Sequence, residues 1–318
     1  MHKKSLVFIF ASALFLSPSV LKADEGGAAP VPAKNQANNL EEEYRQKLRE
    51  TITEEKPEEQ FVQELDSYVR FMPLSGAESQ SGKVGIIDSA SEYSYDFKMF
   101  GKLPTQAGVI TQYISLNNST QVRLPSHLTG ISFGMESTFP FFSFNKTYMR
   151  FGFAPSFFSD NWNFRSSGFR IPMRAFLIHK YSDKLLFVAG VKVRPDYEDN
   201  VLPILGFIYK PTDRLTFSIT PERPNVTYDL NKKWSVFVEG EGSDAEYEVN
   251  VDNVKNAVLR YNEDHVGGGV KFKPNKNIQA YLATGYMFSR SIKYKDDSLG
   301  KIVLNDGLFT EFRVEINI

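Results

Sequence analysis

Two short stretches of the sequence carry residue types that hydrolases use. In "GISFG", Ser132 is the central residue of a G-x-S-x-G pattern, which in hydrolases presents a nucleophile at a sharp strand-to-helix turn. In "HVGGG", His265 precedes three glycines, as in loops whose backbone amides bind an oxyanion. However, Ile131, Phe133 and Met135 alternate with other residues straight through the serine, which predicts a strand without a turn. The Gly run is likewise predicted to lie inside a strand, and we predict no catalytic residues.

The other chemistry-bearing side chains do not form a recognisable metal or cofactor motif. The chain has no cysteine, which excludes disulfides, thiol catalysis and thiolate metal sites. His127, His179 and His265 are far apart in the sequence, and no H-x-x-H, H-E-x-x-H or calcium-loop pattern occurs. No basic block is typical of nucleic-acid binding. The sequence therefore predicts no metal, no cofactor and no nucleic-acid partner.

Most of the chain beyond residue 80 alternates apolar side chains with polar or small ones. Examples are "YMRFGFAPSF" (148–157), "KLLFVAGVKVR" (184–194) and the final "TEFRVEINI" (310–318). Because successive side chains of a strand point to opposite faces, this period predicts strands with one apolar and one polar face. The 27 Phe and 15 Tyr residues contribute many of the apolar positions. Such strands cross a membrane when they close into a barrel.

The connections between these strands differ in length. Four are short turns rich in Pro, Asn, Asp and Lys: "HKYSDK", "YKPTDR", "YDLNKK" and "FKPNKN". Others, such as "SDNWNFRSSG", are longer. Short turns at one rim and long loops at the other are typical of outer-membrane barrels. We therefore predict an all-β, antiparallel transmembrane barrel of about twelve strands, within a range of ten to fourteen, whose last strand pairs with the first.

The first 70 residues have a different composition. Residues 1–23 have the layout of a secretory signal peptide, with Lys3 and Lys4 before an apolar run that is too short to span a bilayer. Residues 24–70 are acidic and comprise a flexible linker at 24–38, followed by helical spacing from Asn39 and again over Phe61 to Val69. We predict a helical N-terminal arm before a barrel at 71–318, with the arm and the C-terminus in the periplasm. The arm is either a solvated, charged helix or a functional segment, namely a plug, a periplasmic oligomerisation helix or a cell-wall contact, so a periplasmic partner is possible.

Two adjoining segments resemble a known family. They are "PILGFIYKPTDRLTFSITPERPNVTYDLNKKWSVFVEGEG" and "LRYNEDHVGGGVKFKPNKNIQAYLATGYMFSRSIKY". Their order of a Pro-containing turn, an "ERPNVTY" strand, a Trp-bearing strand and a Gly-rich strand is similar to that of the bacterial family labelled domain of unknown function 6268. The resemblance in the general pattern of strands and turns extends over roughly residues 80 to 318. It implies an outer-membrane barrel and offers no activity or catalytic residue.

The charged face of the strands gives the candidate site. If the apolar face contacts lipid, the lumen-lining candidates are Glu136, Arg150, Arg170, Arg174, Lys192, Arg194, Arg214, Glu239, Glu241, Lys271 and Arg313. These charges either line a water-filled passage or pair across a narrow lumen.

The function predicted first is a porin-like channel or a solute-binding barrel for small solutes or ions. The alternatives are a non-conducting structural barrel and, less favoured, an outer-membrane lipid or ester hydrolase. The predicted partners are outer-membrane lipid and, through the C-terminal strand, the barrel-assembly machinery.

Overall fold

The described part of the chain is a single antiparallel β-sheet. The computed structural model describes residues 63–78, 81–141, 146–161, 168–195, 197, 199–220, 223–251, 254–295 and 299–318. The strand segments are β1 Gln63–Gly76, β2 Lys83–Met99, β3 Leu103–Asn118, β4 His127–Pro140, β5 Thr147–Phe153, β6 Ser156–Ser159, β7 Phe169–Arg170, β8 Met173–Ser182, β9 Leu185–Val193, β10 Val201–Thr212, β11 Leu215–Ile219, β12 Asn225–Asp229, β13 Trp234–Val251, β14 Val254–Phe272, β15 Ile278–Tyr294, β16 Lys301–Val303 and β17 Gly307–Asn317. Within these ranges, no helix is long and apolar enough to cross a membrane.

The seventeen segments make fourteen strands. The pairs β5 and β6, β7 and β8, and β16 and β17 are each two halves of one interrupted strand. Pro155 and Pro172 lie at two of the interruptions, because proline has no amide hydrogen for the ladder. The predicted figure of about twelve is therefore too low, and fourteen is the upper end of the predicted range. Short elements explain the difference: β11 and β12 have five residues each, so the average strand-plus-connection unit is shorter than expected.

The sheet closes between its first and last strands, as the sequence predicts. β1 pairs antiparallel with β17 from Glu64↔Asn317 to Phe71↔Thr310. Backbone hydrogen bonds between Gln63 and Ile318, at 3.1 and 2.7 Å, complete the seam at one rim. We call this the near rim and the opposite one the far rim. The four short turns of the sequence connect β8 to β9, β10 to β11, β12 to β13 and β14 to β15, and all lie at the near rim.

The predicted second helix of the N-terminal arm is wrong. The residues from Gln63 onward form β1, so the barrel includes residues 63–70, which the prediction assigned to the arm. Asp66, Tyr68 and Arg70 point inward and Val69 points outward. Because the inward residues are polar, the alternation typical of a strand is not evident in the sequence of β1. The predicted signal peptide and the helix from Asn39 lie outside the described residues.

The outer face of the barrel carries a belt of exposed apolar side chains. It includes Val69, Phe71, Phe133, Phe151, Val191, Leu205, Val238, Leu282 and Phe312. Their neighbours in sequence are mostly buried or partly buried, as an outward-apolar alternation requires.

This alternation predicts the effects of substitutions in β5. Phe151→Arg should reduce the free energy of unfolding by about 2 to 4 kcal/mol, because a cation near the middle of the lipid face is poorly solvated. The measurement is urea unfolding in lipid vesicles, with Phe151→Leu as the control. Arg150→Ser, on the inner face, should cost less. If Arg150→Ser were the more costly substitution, the two faces of β5 would be assigned the wrong way round.

Candidate functional site

Inward apolar side chains of β1–β4 and β13–β17 fill the far half of the barrel. They form a core of fully or nearly fully buried residues that includes Met72, Val84, Ile86, Ile114, Leu128, Tyr247, Val249, Leu259, Tyr261, Met287, Ile292 and Tyr294. Burial of this surface stabilises contact between walls that an open channel would hold apart. The expected polar inner face is therefore absent from this part of the described interior.

The far half of β13 crosses the interior. Along its outward-facing positions, Val238 is exposed, Gly240 and Gly242 follow, and Glu246 and Glu248 are buried. The opposite face, with Tyr247 and Val249, is buried in the apolar core. Both faces are covered, and the pairing with β12 ends at Glu239 while the pairing with β14 continues to Val251. We infer that the strand, still paired with β14, bends inward after the two glycines and passes between the two sides of the barrel.

Hydrogen bonds fix the end of β13 to the opposite wall. Glu248 and Ser159 of β6 form a parallel bridge. Asp160 donates its backbone N–H to the carbonyl of Glu248 at 3.0 Å, and its Oδ2 accepts from the N–H of Asn250 at 2.8 Å. β6 lies six strands from β13 around the fourteen-stranded barrel, so these contacts span the lumen.

A second set of contacts holds β13 from the loop between β9 and β10. Asp244 pairs with Arg194 at 2.9 Å and with Arg260 of β14 at 2.6 Å, and Arg260 also pairs with Asp199 at 3.0 Å. We call Asp244, Arg194 and Arg260 the latch. Tyr197 packs against the Arg194 guanidinium, 4.8 Å from the ring centre. Burial raises the pKa of Tyr197 to about 12, so the phenol stays neutral.

Arg70 is the centre of a buried charge cluster below the apolar core. Its guanidinium contacts Glu311 at 2.8 Å, Glu241 at 3.0 Å and Glu263 at 3.2 Å. The Arg70 and Glu263 side chains are only 1% and 0% exposed. Tyr261 donates a short hydrogen bond to Glu263. The four strands β1, β13, β14 and β17 are thus tied together through one side chain.

Arg223 and Arg313 extend this cluster on its near side. Arg223 makes two contacts with Glu239, at 3.0 and 3.2 Å, and one with Glu311 at 3.0 Å. Arg313 pairs closely with Glu311 and lies 3.6 Å from Glu239. Arg223 comes from the connection between β11 and β12, so even the short strands of the barrel are anchored to the seam.

A smaller cluster lies on the wall formed by β4, β5 and β8. Glu136 is shared between Arg174, at 2.5 Å, and Arg150, at 3.0 Å. Arg150 also donates to Thr138 at 3.1 Å. The Arg174 side chain is 38% exposed although it points inward. Glu92 of β2, on the inner face near the same level, is exposed as well. Water therefore reaches the near half of the lumen, which we call the vestibule.

The sequence of the chain matches a family model over much of the barrel. The model, described as Domain of unknown function (DUF6268), matches residues 104–315, well over half of the chain. The chain belongs to this family. No curated protein matches the sequence of this DUF6268 barrel.

Several solved structures resemble the DUF6268 barrel in shape. An outer membrane channel from Pseudomonas putida F1 has 8% identity and a TM-score of 0.45, over 83% of this chain and 97% of that one. A Pseudomonas aeruginosa FadL homologue has 8% identity and a TM-score of 0.44, over 81% and 89%. A KdgM porin has 10% identity and a TM-score of 0.34, over 80% and 99%.

The structure of the DUF6268 barrel brings together some of the charges predicted from the sequence. Glu239, Glu241 and Arg313 belong to the central cluster, Glu136, Arg150 and Arg174 to the smaller one, and Arg194 to the latch. Arg170 is buried on β7, whereas Lys192 and Lys271 are partly buried. Arg214 lies in the exposed turn between β10 and β11, at the rim. That these residues line a conducting lumen stays a prediction.

The residues that sequence reasoning missed are those whose partners come from distant strands. Arg70 adjoins the residues predicted to be helical, and Arg223 lies in a connection without a period of two. Glu263 and Glu311 have the inward parity of their strands, which was the available signal. Parity alone does not identify which inward carboxylate meets an arginine.

The catalytic-looking stretches lie inside strands, as predicted. Ser132 is in the middle of β4 and His265 is in β14, so neither forms the turn that its motif requires. His265 is buried with its ring 4.8 Å from that of Phe309 and its Nε2 3.6 Å from Glu241. In the described residues, no three His, Asp or Glu side chains are placed to hold a metal ion.

Proposed function

We propose that the protein is an outer-membrane channel for small solutes, closed at its far half by the inward segment of β13. The observation that carries the proposal is the contrast between the two halves of the lumen. Arg174 and Glu92 are accessible in the vestibule, whereas the inward residues of the far half are buried. A closed barrel with one accessible vestibule and one blocked end has the form of a gated passage.

The membrane location is supported by the outer belt. Its exposed apolar side chains recur around the barrel, and a belt of this kind is stable in contact with lipid. We place the near rim, with the short turns and both ends of the sheet, in the periplasm. Export by residues 1–23 and recognition of the C-terminal strand by the assembly machinery are parts of the same proposal.

A non-conducting structural barrel is the second candidate. It is favoured by the central cluster, in which Arg70, Arg223 and Arg313 all have carboxylate partners. Such pairs fill a lumen and connect its walls without any passage of solute.

Planar-bilayer recording separates the two candidates. We expect the mature protein to give rare, brief openings, because the far half is closed at rest. A form lacking residues 24–62, which leaves β1 intact, is recorded beside it to remove any block by the acidic segment. If neither folded form conducts under any applied potential, the structural barrel is the better description.

Ion selectivity should depend on an arginine that is both inward-facing and accessible to water. Of Arg170, Arg174, Arg194 and Arg214, Arg174 combines an inward position with marked exposure. Arg174→Gln should therefore shift the reversal potential toward cations, while Arg214→Gln, at the rim, should leave it almost unchanged. Equal shifts for the two variants would place the selective region at the rim.

A further inference from the structure

A cavity of about 220 Å³ opens on the inner face of β1–β4. Two rows of side chains that are neighbours across the strands line it. The lower row is Asp66, Glu92, Ile110 and Ser132, and the upper row is Tyr68, Ala90, Gln112, Gly130 and Phe158.

The cavity exists because two residues in the upper row are small. Ala90 and Gly130 lack the bulk to fill the space between the rings of Tyr68 and Phe158. A Cβ at Gly130 would lie 2.7 Å from the Phe158 ring, so only glycine leaves that ring in place. An apolar cavity of about 150 Å³ is enough to hold benzene in another protein. The cavity therefore has room for a ligand with one small ring.

The polar groups at the lower edge of the cavity favour a cation. Asp66 and Glu92 are directly opposite each other on β1 and β2, where like charges repel. Oδ1 of Asp66 is buried without a hydrogen-bond partner. Glu315 and Glu311 add to the negative field at Asp66, and Arg223 opposes it.

Ser132 supplies a second polar group on the same row. It is one of the buried polar residues and lines the cavity, and its hydroxyl oxygen can accept a hydrogen bond. A ligand with N–H donors would satisfy this hydroxyl and the Asp66 oxygen together.

The upper row is held in place by a buried carboxylate. Asp88 accepts hydrogen bonds from the Tyr68 hydroxyl at 3.0 Å and from Nε2 of Gln112 at 3.2 Å. Tyr247 donates to Oε1 of Gln112 at 3.0 Å. Because their polar ends are engaged, Tyr68 and Gln112 present fixed surfaces. The Arg70 guanidinium already lies 5.4 Å from the centre of the Tyr68 ring, so this ring offers the cavity an apolar contact.

We propose that this cavity binds a small organic ammonium ion. The ammonium group contacts Asp66, Glu92 and Ser132, and the apolar part lies against Tyr68 and Phe158. A metal ion is a poorer fit, because the lining offers two carboxylates and no third charged ligand. This site rests on the proposed function and names a class of solute for it. The ligand reaches the cavity through the vestibule, so binding does not require that the channel conducts.

Calorimetric titration of the folded, mature protein in detergent micelles tests the proposal, with phenethylamine as the probe at pH 8, where the cavity carboxyls and the amine are both charged. We expect one saturable site, binding weakened at least tenfold by Asp66→Asn, and binding abolished by Ala90→Leu, which fills the cavity without changing charge. Asp213→Asn, in the exposed turn between β10 and β11, is the matched control and should bind as the unaltered protein does. Circular dichroism and gel mobility check that each variant is folded.

Three outcomes would overturn the proposal. Equal binding of the neutral analogue 2-phenylethanol would show that charge is not recognised. Tight binding of Ca²⁺ without binding of the amine would make the site a metal site. Unchanged binding by the folded Ala90→Leu variant would place the amine elsewhere. A protein that binds the amine but never conducts would contradict the channel function and leave the binding site intact.

Discussion

Replacing Arg70 by methionine should lower the free energy of unfolding by about 3 to 5 kcal/mol, because removal of one partner leaves buried charges uncompensated. Glu263 and Glu311 are almost completely buried and both contact the Arg70 guanidinium. Methionine keeps much of the volume, so loss of charge is the main change. Urea unfolding in lipid vesicles, followed by tryptophan fluorescence, measures the effect.

A second substitution tests the cause of that loss. Arg70→Met combined with Glu263→Gln should recover part of the stability, since the uncompensated negative charge is reduced. The matched control is Arg260→Met, whose side chain is 14% exposed and lies outside the central cluster. A loss below about 1 kcal/mol for Arg70→Met, the value of an exposed pair, would show that water reaches the cluster.

Asp244→Asn should increase the ratio of open to closed channels by about 10- to 100-fold. Asp244 accepts hydrogen bonds from both Arg194 and Arg260, and hydrogen bonds to charged groups are worth about 1.5 to 3 kcal/mol. Asparagine keeps the shape but loses the charge, so the latch holds β13 less firmly. Single-channel recording in planar bilayers measures the change in open probability.

Asp199→Asn is the matched control for the latch. The Asp199 carboxylate is 60% exposed and pairs with Arg260, so its removal should change the open probability little. An Asp244→Asn channel that opens no more often than the control would show that the latch does not hold the closed state.

Local pattern was sufficient to predict the faces and turns of the strands, because a period of two and turn residues act over a few positions. Phe312 points outward and Glu311 and Arg313 point inward, as expected. The same pattern failed for β1, whose inward face is polar at Asp66, Tyr68 and Arg70. A period of two predicts that the two faces of a strand differ. It does not predict which residues of other strands will pack against each face.

The contents of the lumen were the least predictable feature. The apolar far half contains residues such as Ile86, whose neighbour Ile87 is apolar and exposed. Only the fold decides which of the two is covered. The central cluster joins Arg70 to Glu311, 241 positions later in the sequence, and no local spacing marks such a pair. The glycines at 240 and 242, followed by acidic outward positions, were the one available sign that β13 leaves the wall.

The pairing of Arg70 with Glu311 has a consequence for how the barrel is assembled. The two residues are direct partners across the seam of the first and last strands, so closure of the seam in this register brings the Arg70 guanidinium to Glu311. A shift of the seam by one residue would turn Arg70 toward lipid and leave Glu263 without its cation. A barrel closed in the wrong register would be less stable because its buried carboxylates would lack a cation. The central cluster therefore favours the native alignment of the first and last strands.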